Sequence, residues 1–215
     1  MAVLDDLKAL GKALAAQGLV IGSGGNISAR DGSKMIIKPS GYDMDKVGDG
    51  QWSVLDIASG KPVSGPRPAS EWELHLRALR VRPEMNFVCH AHPPTTIGLT
   101  SGGRDLEAFT PDFVAFVDRV EHVPFIMPAG PALAEAVEKA LATGAPAVVL
   151  RNHGVVTVGR TTREALIRMV VVEDGAKTQV AAIIAGHPRP LTPAEQDAIR
   201  HMEVEAYRRK VLGGS

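Results

Sequence analysis

Two histidines separated by a single residue, His90 and His92 in the run Cys-His-Ala-His-Pro, are the sharpest chemical feature of this 215-residue chain. Alternate residues of an extended strand point to the same side, so imidazoles at i and i+2 can meet one metal ion. A third, His153 in Arg-Asn-His-Gly, follows the apolar run Ala147-Val-Val-Leu150 and stands at another strand end. Glu71 supplies the acid. At a helix start it can complete a shell of three histidines and a carboxylate, or stay off the metal and move protons beside it. A first-turn glutamate also serves simply to complement the helix dipole. Of the remaining histidines, His75 lies one helical turn from Glu71 and can reach the same place, whereas His122, His187 and His201 read as structural.

Two turns of small residues offer a place for an anion. The loop from Gly22 to Ser28, with Ser23 and Asn26, carries backbone N–H groups, an amide and hydroxyls; Lys38-Pro-Ser40-Gly41 adds a hydroxyl and another N–H. The first turn is a cradle without the lysine of a P-loop, and it does not complete G-x-G-x-x-G. No G-x-S-x-G occurs, and the sole cysteine, Cys89, sits inside an apolar strand, so nucleophilic catalysis has no support.

The elements that must position these groups are a mixture of strands and helices. Apolar residues at helical spacing from Val3 to Leu19 predict an opening helix stopped at Gly18. The stretch Ile21–Ser28 reads as a turn-rich loop, Met35–Ile37 and Trp52–Ile57 as strands, and Ser70 as the cap of a helix with Glu71 in its first turn. Asn86–Cys89 reads as a strand running into the paired histidines, followed by a helix near Thr95–Thr100. Beyond it the pattern predicts a helix over 130–142, strands over 147–150 and 154–158, a long helix over 161–185 and a last helix over 193–209, with residues 213–215 as a frayed end.

Composition sets the frame. With 24 Lys+Arg against 24 Asp+Glu the net charge is zero, which excludes a broad basic footprint for nucleic acid or an anionic membrane. A 45% hydrophobic and 22% charged composition is globular. One cysteine permits no intramolecular disulfide and suits a reducing compartment. The first residues lack the signature of a signal peptide, and no apolar run approaches the ~20 residues that cross a bilayer, so the expectation is a cytoplasmic protein.

In chain order, Ser-Gly-Gly-Asn-Ile-Ser, Lys-Pro-Ser-Gly, Pro-Ala-Ser-Glu, His-Ala-His-Pro and Arg-Asn-His-Gly closely resemble the class II aldolase/adducin family, from about residue 5 to residue 185. The resemblance implies one domain over 1–215: an α/β/α sandwich around a mixed, largely antiparallel sheet, assembled as a homotetramer with sites between subunits. It implies Zn2+, or another dication such as Mn2+, Co2+ or Mg2+, on His90, His92 and His153, with Glu71 as the catalytic acid–base. Substrate phosphate would fall to Ser23, Asn26, Ser40, Gly41 and Ser70. The family's serine pair before the acid falls on Ala69 and Ser70, so one hydroxyl is missing. Phe109–Asp112 occupies the region of an aldolase tyrosine that protonates the leaving aldehyde, and Tyr207 matches a second, tail-borne catalytic tyrosine.

The reaction implied is a metal-dependent carbon–carbon lyase that cleaves or forms a small ketose-phosphate-type aldol through a metal-stabilised enediolate. Loss of CO2 or of a β-hydroxyl from related sugar-acid or keto-acid substrates would make a decarboxylase or dehydratase, and a pyruvate aldolase is a further alternative. Glutamate at position 71 resembles the aldolases, where the family's 4-epimerases carry aspartate. A non-catalytic, adducin-like interaction domain is the rival from another class.

Overall fold

The computed structural model describes residues 2–214. Helix α1 (Ala2–Ala16) leads to strands β1 (Asn26–Asp31), β2 (Lys34–Ile37), β3 (Ser53–Asp56) and β4 (Pro62–Ser64). Helix α2 (Trp72–Val81), strand β5 (Phe87–Ala91), helices α3 (Pro94–Ser101) and α4 (Pro111–Phe116) and strand β6 (Val120–Val123) follow. Helix α5 (Pro131–Ala142), strands β7 (Ala147–Leu150) and β8 (Gly154–Gly159), and helices α6 (Thr162–Ala185), α7 (Pro193–Arg200) and α8 (Glu203–Gly213) complete the chain.

The eight strands form one sheet in the order β4-β3-β2-β1-β5-β8-β7-β6. Every neighbouring pair is antiparallel except β6 and β7, so the expected mixed, largely antiparallel sheet is present. Period-two alternation divides the central strands between two apolar layers. Phe87, Cys89 and Ala91 of β5 join Ile27 and Ala29 of β1 on the face covered by α1, α3, α4 and α6. Val88 joins Val148, Val156 and Val158 on the face covered by α2 and α5. By parity, Asn26, Ser28, His90 and His92 share this second face. On the first face Leu7, Leu10 and Leu14 form a fully buried stripe, each side chain stabilising by ~1.5–3 kcal/mol, which holds α1 to the sheet.

The expected stop at Gly18 is present: its φ of 68° lets Leu19 N–H reach Leu14 O at 3.1 Å. Other expectations need correction. The glycine turn ends at Gly25, and Asn26 opens β1, because its pairing with His90 of β5, continued from Ser28 by the ladder to β2, outweighs the turn residues. Ser70 is not the cap of α2: the N-cap is Glu71, whose side chain makes no capping bond because it turns toward the histidines. The last predicted helix is two, broken at Met202, where extended backbone redirects α8 so that Leu212 and Glu205 become buried. Gly213 belongs to α8 and is not frayed, while Ser215 lies outside the described residues. The short β4, α4 and β6 went unpredicted: β4 is exposed and only three residues long, and β6 is a four-residue edge strand with two polar positions.

Candidate active site

The cluster sits where β1, β5 and β8 end together. Asn26 lies opposite His90, and His90 opposite Val156. His92 continues past β5 with its N–H on Leu19 O at 2.9 Å. His153 lies in the turn joining β7 to β8, behind Asn152, whose φ is 59°. Gly154 is required there, because a Cβ would stand 2.5 Å from Ala91 O and 2.9 Å from His92 Cδ2. The sequence-predicted trio is thus brought together by strands joined across the sheet.

The rings of His90 lie 4.9 Å, centroid to centroid, from those of both His92 and His153. One nitrogen of each of the three lies within 4.8 Å of the others. His90 Nδ1 is 3.1 Å from Val155 O; the carbonyl can only accept, so Nδ1 donates and Nε2 keeps its lone pair toward the cluster. Glu71 faces the same centre, with Oε2 3.1 Å from His90 Nε2 and Oε1 3.3 Å from His153 Nε2. Glu71 Oε1 and His153 Nδ1 are buried without hydrogen-bond partners. Three imidazoles and a carboxylate whose Oε1 has no hydrogen-bond partner, converging in one place, fit a divalent ion.

Electrostatics agree with that donor set. Burial opposes ionisation of Glu71, but the His90 and His153 imidazoles beside it and the Asn26 amide favour the charged form and hold its carboxyl well below the usual carboxylate range. Burial, with His90 and His153 crowded against the ring, pushes His92 down to about 4. Burial and His90 also lower His153. Neutral imidazoles beside an ionised carboxylate are the forms that bind a dication.

Beside the cluster opens a cavity of about 360 Å³, lined by Ser23, Gly24, Gly25, Asn26, Lys38, Ser40, Gly41, Ala69, Ser70, Glu71, His92, Pro128 and His153. All five residues expected to bind substrate phosphate therefore line one cavity with Glu71, His92 and His153. Their donors differ from the backbone cradle expected. Gly24 N–H is committed to Ile21 O and Ser40 N–H to Arg67 O, leaving hydroxyls, the Asn26 amide and Gly41 N–H. Lys38, which the sequence reading did not place in the site, supplies the charge. It is 2% exposed and its ammonium donates to Ser23 O at 2.9 Å. Burial lowers its pKa against the pull of Asp43. The available signal was a lysine directly continuing the buried run Met35-Ile36-Ile37.

His75, singled out as the histidine within reach, is fully buried behind the site against Asn26 and Ser28. Tyr207 is not brought to the histidines of its own chain. It is 67% exposed on α8 and lines a separate groove of about 410 Å³ with Asp112, Phe116 and Val211. Cys89 points into the opposite layer, its thiol pushed up to about 12 by burial, and takes no part.

Comparison with known proteins is consistent with this geometry. Residues 5–180 match the family described as Class II Aldolase and Adducin N-terminal domain. L-fuculose phosphate aldolase of Methanococcus vannielii is 33% identical over 158 residues, 74% of this chain and 84% of that protein. A 3-oxo-tetronate 4-phosphate decarboxylase of Haemophilus influenzae is 29% identical over 174 residues, 78% of this chain and 82% of that protein. The solved structure of an L-fuculose 1-phosphate aldolase superimposes with a TM-score of 0.87 at 29% identity, covering 96% of both chains. With the ordered motifs, the sheet and the convergent histidines in agreement, the chain belongs to the class II aldolase/adducin family.

Proposed function

We propose that the protein is a metal-dependent lyase that cleaves or forms a carbon–carbon bond in a small ketose-phosphate-type aldol. One observation carries this reading: three imidazoles and the ionised Glu71 converge beside a cavity that is also lined by the buried Lys38 and by Ser23, Ser40 and Ser70. A divalent ion on His90, His92 and His153, with zinc the first choice for three imidazoles, supplies Lewis acidity to the negative charge that develops beside a carbonyl when the bond breaks. Lys38, Ser23, Ser40, Ser70, Gly41 and Asn26 hold the substrate's anionic end and fix which carbon faces the histidines. Glu71 takes a proton from the substrate and returns one to it. Tyr207 stands away from its own site and would serve as a proton donor only in a neighbouring subunit's site, a placement compatible with the homotetramer with shared sites that the resemblance implies.

A decarboxylase acting on a sugar-acid phosphate is the second reading. It is favoured by Lys38, a cation able to meet a second anionic group, and by the decarboxylase relatives. The packing of α7 and α8 against α4, with Thr161 Oγ1 donating to Leu212 O at 2.8 Å, supports one domain over the whole chain. No helix of the described residues is long and apolar enough to cross a membrane, and with the lone cysteine this supports a cytoplasmic location.

The test is incubation of the zinc-loaded protein with ketose phosphates, oxo-tetronate phosphates and pyruvate-derived aldols, with products identified by mass. An aldehyde and a ketone phosphate are expected. CO2 release instead establishes the second reading, and no turnover by the metal-loaded protein refutes both.

A further inference from the structure

From the cavity wall inward, four buried polar side chains form a single line that begins at Glu71 and Asn26 and ends at His75 and Ser28. Asn26 and Ser28, two apart on β1, face Glu71 and His75, four apart on α2. Asn26 Nδ2 donates to Glu71 Oε2 at 3.2 Å, His75 Nε2 meets Asn26 Oδ1, and His75 Nδ1 lies 2.8 Å from Ser28 Oγ. The donors can be assigned by elimination. A carboxylate without a proton only accepts, so Asn26 presents its NH2 to Glu71 and its carbonyl to His75. That carbonyl only accepts, so His75 carries its proton on Nε2, and Nδ1 then accepts from the Ser28 hydroxyl. Both ring nitrogens are satisfied with His75 neutral, in keeping with a fully buried ring.

The line makes the two oxygens of Glu71 unequal. Oε2 is occupied by Asn26, whereas Oε1 is buried, unpartnered and beside His153 at the cavity. We propose that His75 is a positioning residue for Glu71: its Nε2–H locks the Asn26 amide so that Nδ2 holds Oε2, leaving Oε1 as the oxygen that takes and returns the substrate proton. This rests on the reading of Glu71 as the proton-moving group. Without the imidazole donor the amide can rotate, Oε2 loses its fixed partner, and the carboxylate can turn out of line with the substrate.

The chain has three asparagines, Asn26, Asn86 and Asn152, so protein labelled with 15N only at asparagine gives three side-chain amide signals. Read on metal-free protein, the Asn26 amide protons are expected to exchange about 10-fold faster in His75→Leu than in wild type, with Asn86 and Asn152 unchanged. His75→Gln, whose amide can donate to Asn26 and accept from Ser28, restores slow exchange. On the zinc-loaded enzyme His75→Leu should lower kcat ~10–100-fold with KM changed less than about twofold. Should His75→Leu fail to fold, Ser28→Ala removes only the far hydroxyl and shows the same changes in smaller size. Unchanged Asn26 exchange in either folded variant overturns the proposal, as does a kcat loss that His75→Gln does not recover. If wild type shows the slow Asn26 exchange yet turns over none of the candidate substrates, the lyase reading fails while the Asn26 lock stands and the catalytic role of Oε1 falls with it.

Discussion

Glu71 is the residue on which the chemistry turns, because burial alone would raise its carboxyl above the usual carboxylate range and its neighbours reverse that shift. Glu71→Gln retains volume and much of the hydrogen bonding but removes the base. It should keep most of the metal, measured by elemental analysis, while turnover falls by ~10²–10⁴. Near wild-type turnover would remove Glu71 from the reaction. Ala69 tests the anion wall. It is 3% exposed, lines the cavity, and has a methyl where the family pattern has a hydroxyl. Ala69→Ser adds a donor beside a charged acceptor, an interaction worth ~1.5–3 kcal/mol before losses to water. Calorimetry should therefore show inorganic phosphate or a phosphorylated substrate bound about 10-fold more tightly; weaker binding would mean that this wall does not face the phosphate.

At the scale of elements, the site depends on how closely β5 and β8 approach at their ends. Gly154 allows that approach, since a methyl there would collide with the Ala91 carbonyl and with both strand-end histidines. Gly154→Ala should cost about 1–3 kcal/mol in urea unfolding and reduce bound zinc at the same time. Gly98→Ala, in α3 with open space around its Cα, is the control and should leave metal content unchanged. Equal zinc in both variants would show that the histidines are held independently of this contact. The same scale explains why β1 was hidden. The residues just before it, Ile21 to Gly25, are rich in turn formers, and it is the ladder to β5, with Asn26 opposite His90, that makes Asn26 extended, while β2 pairs from Ser28 onward. That pairing also sets Asn26 beside His90 and opposite the helix that carries Glu71.

At the scale of the whole molecule, two outcomes follow from what is buried and what is exposed. His75 is buried neutral, pushed down to about 3 by burial, with the His90 ring nearby adding to the shift and Glu71 opposing it. An unfolded histidine titrates near 6.5. Below that pH the unfolded chain takes up a proton that the folded chain refuses. Stability is therefore fully present above pH 6.5 and lost as pH falls toward the folded value, by up to about 1.4 kcal/mol per pH unit from this group. Urea midpoints of metal-free protein at about pH 7.5 and 5.5 check the sign; a midpoint that rises in acid would contradict a neutral buried His75. The second outcome is assembly. Tyr207, Val204 and Val211 expose apolar surface on α8, and sedimentation should give a tetramer of about four times the 22.7 kDa chain. A fully active monomer would exclude shared sites and leave Tyr207 without a catalytic role.

The sequence by itself determined which atoms can bind a metal and roughly where they stand. Alternation along a strand puts His90 and His92 on one side, apolar runs place them and His153 at strand ends, and these rules act over only a few residues. Helical spacing likewise made His75 visible as a neighbour of Glu71. Tertiary structure alone decided the rest. Lys38 becomes the cation of the cavity because β2 ends beside the glycine turn whose Ser23 carbonyl it reaches. Asn26 meets both Glu71 and His75 because β1 runs beneath α2. Tyr207 is carried away from its own cluster by the break at Met202 and the docking of α8. Each of these depends on pairing or packing between segments far apart in the chain, where local periodicity carries no information about the partner.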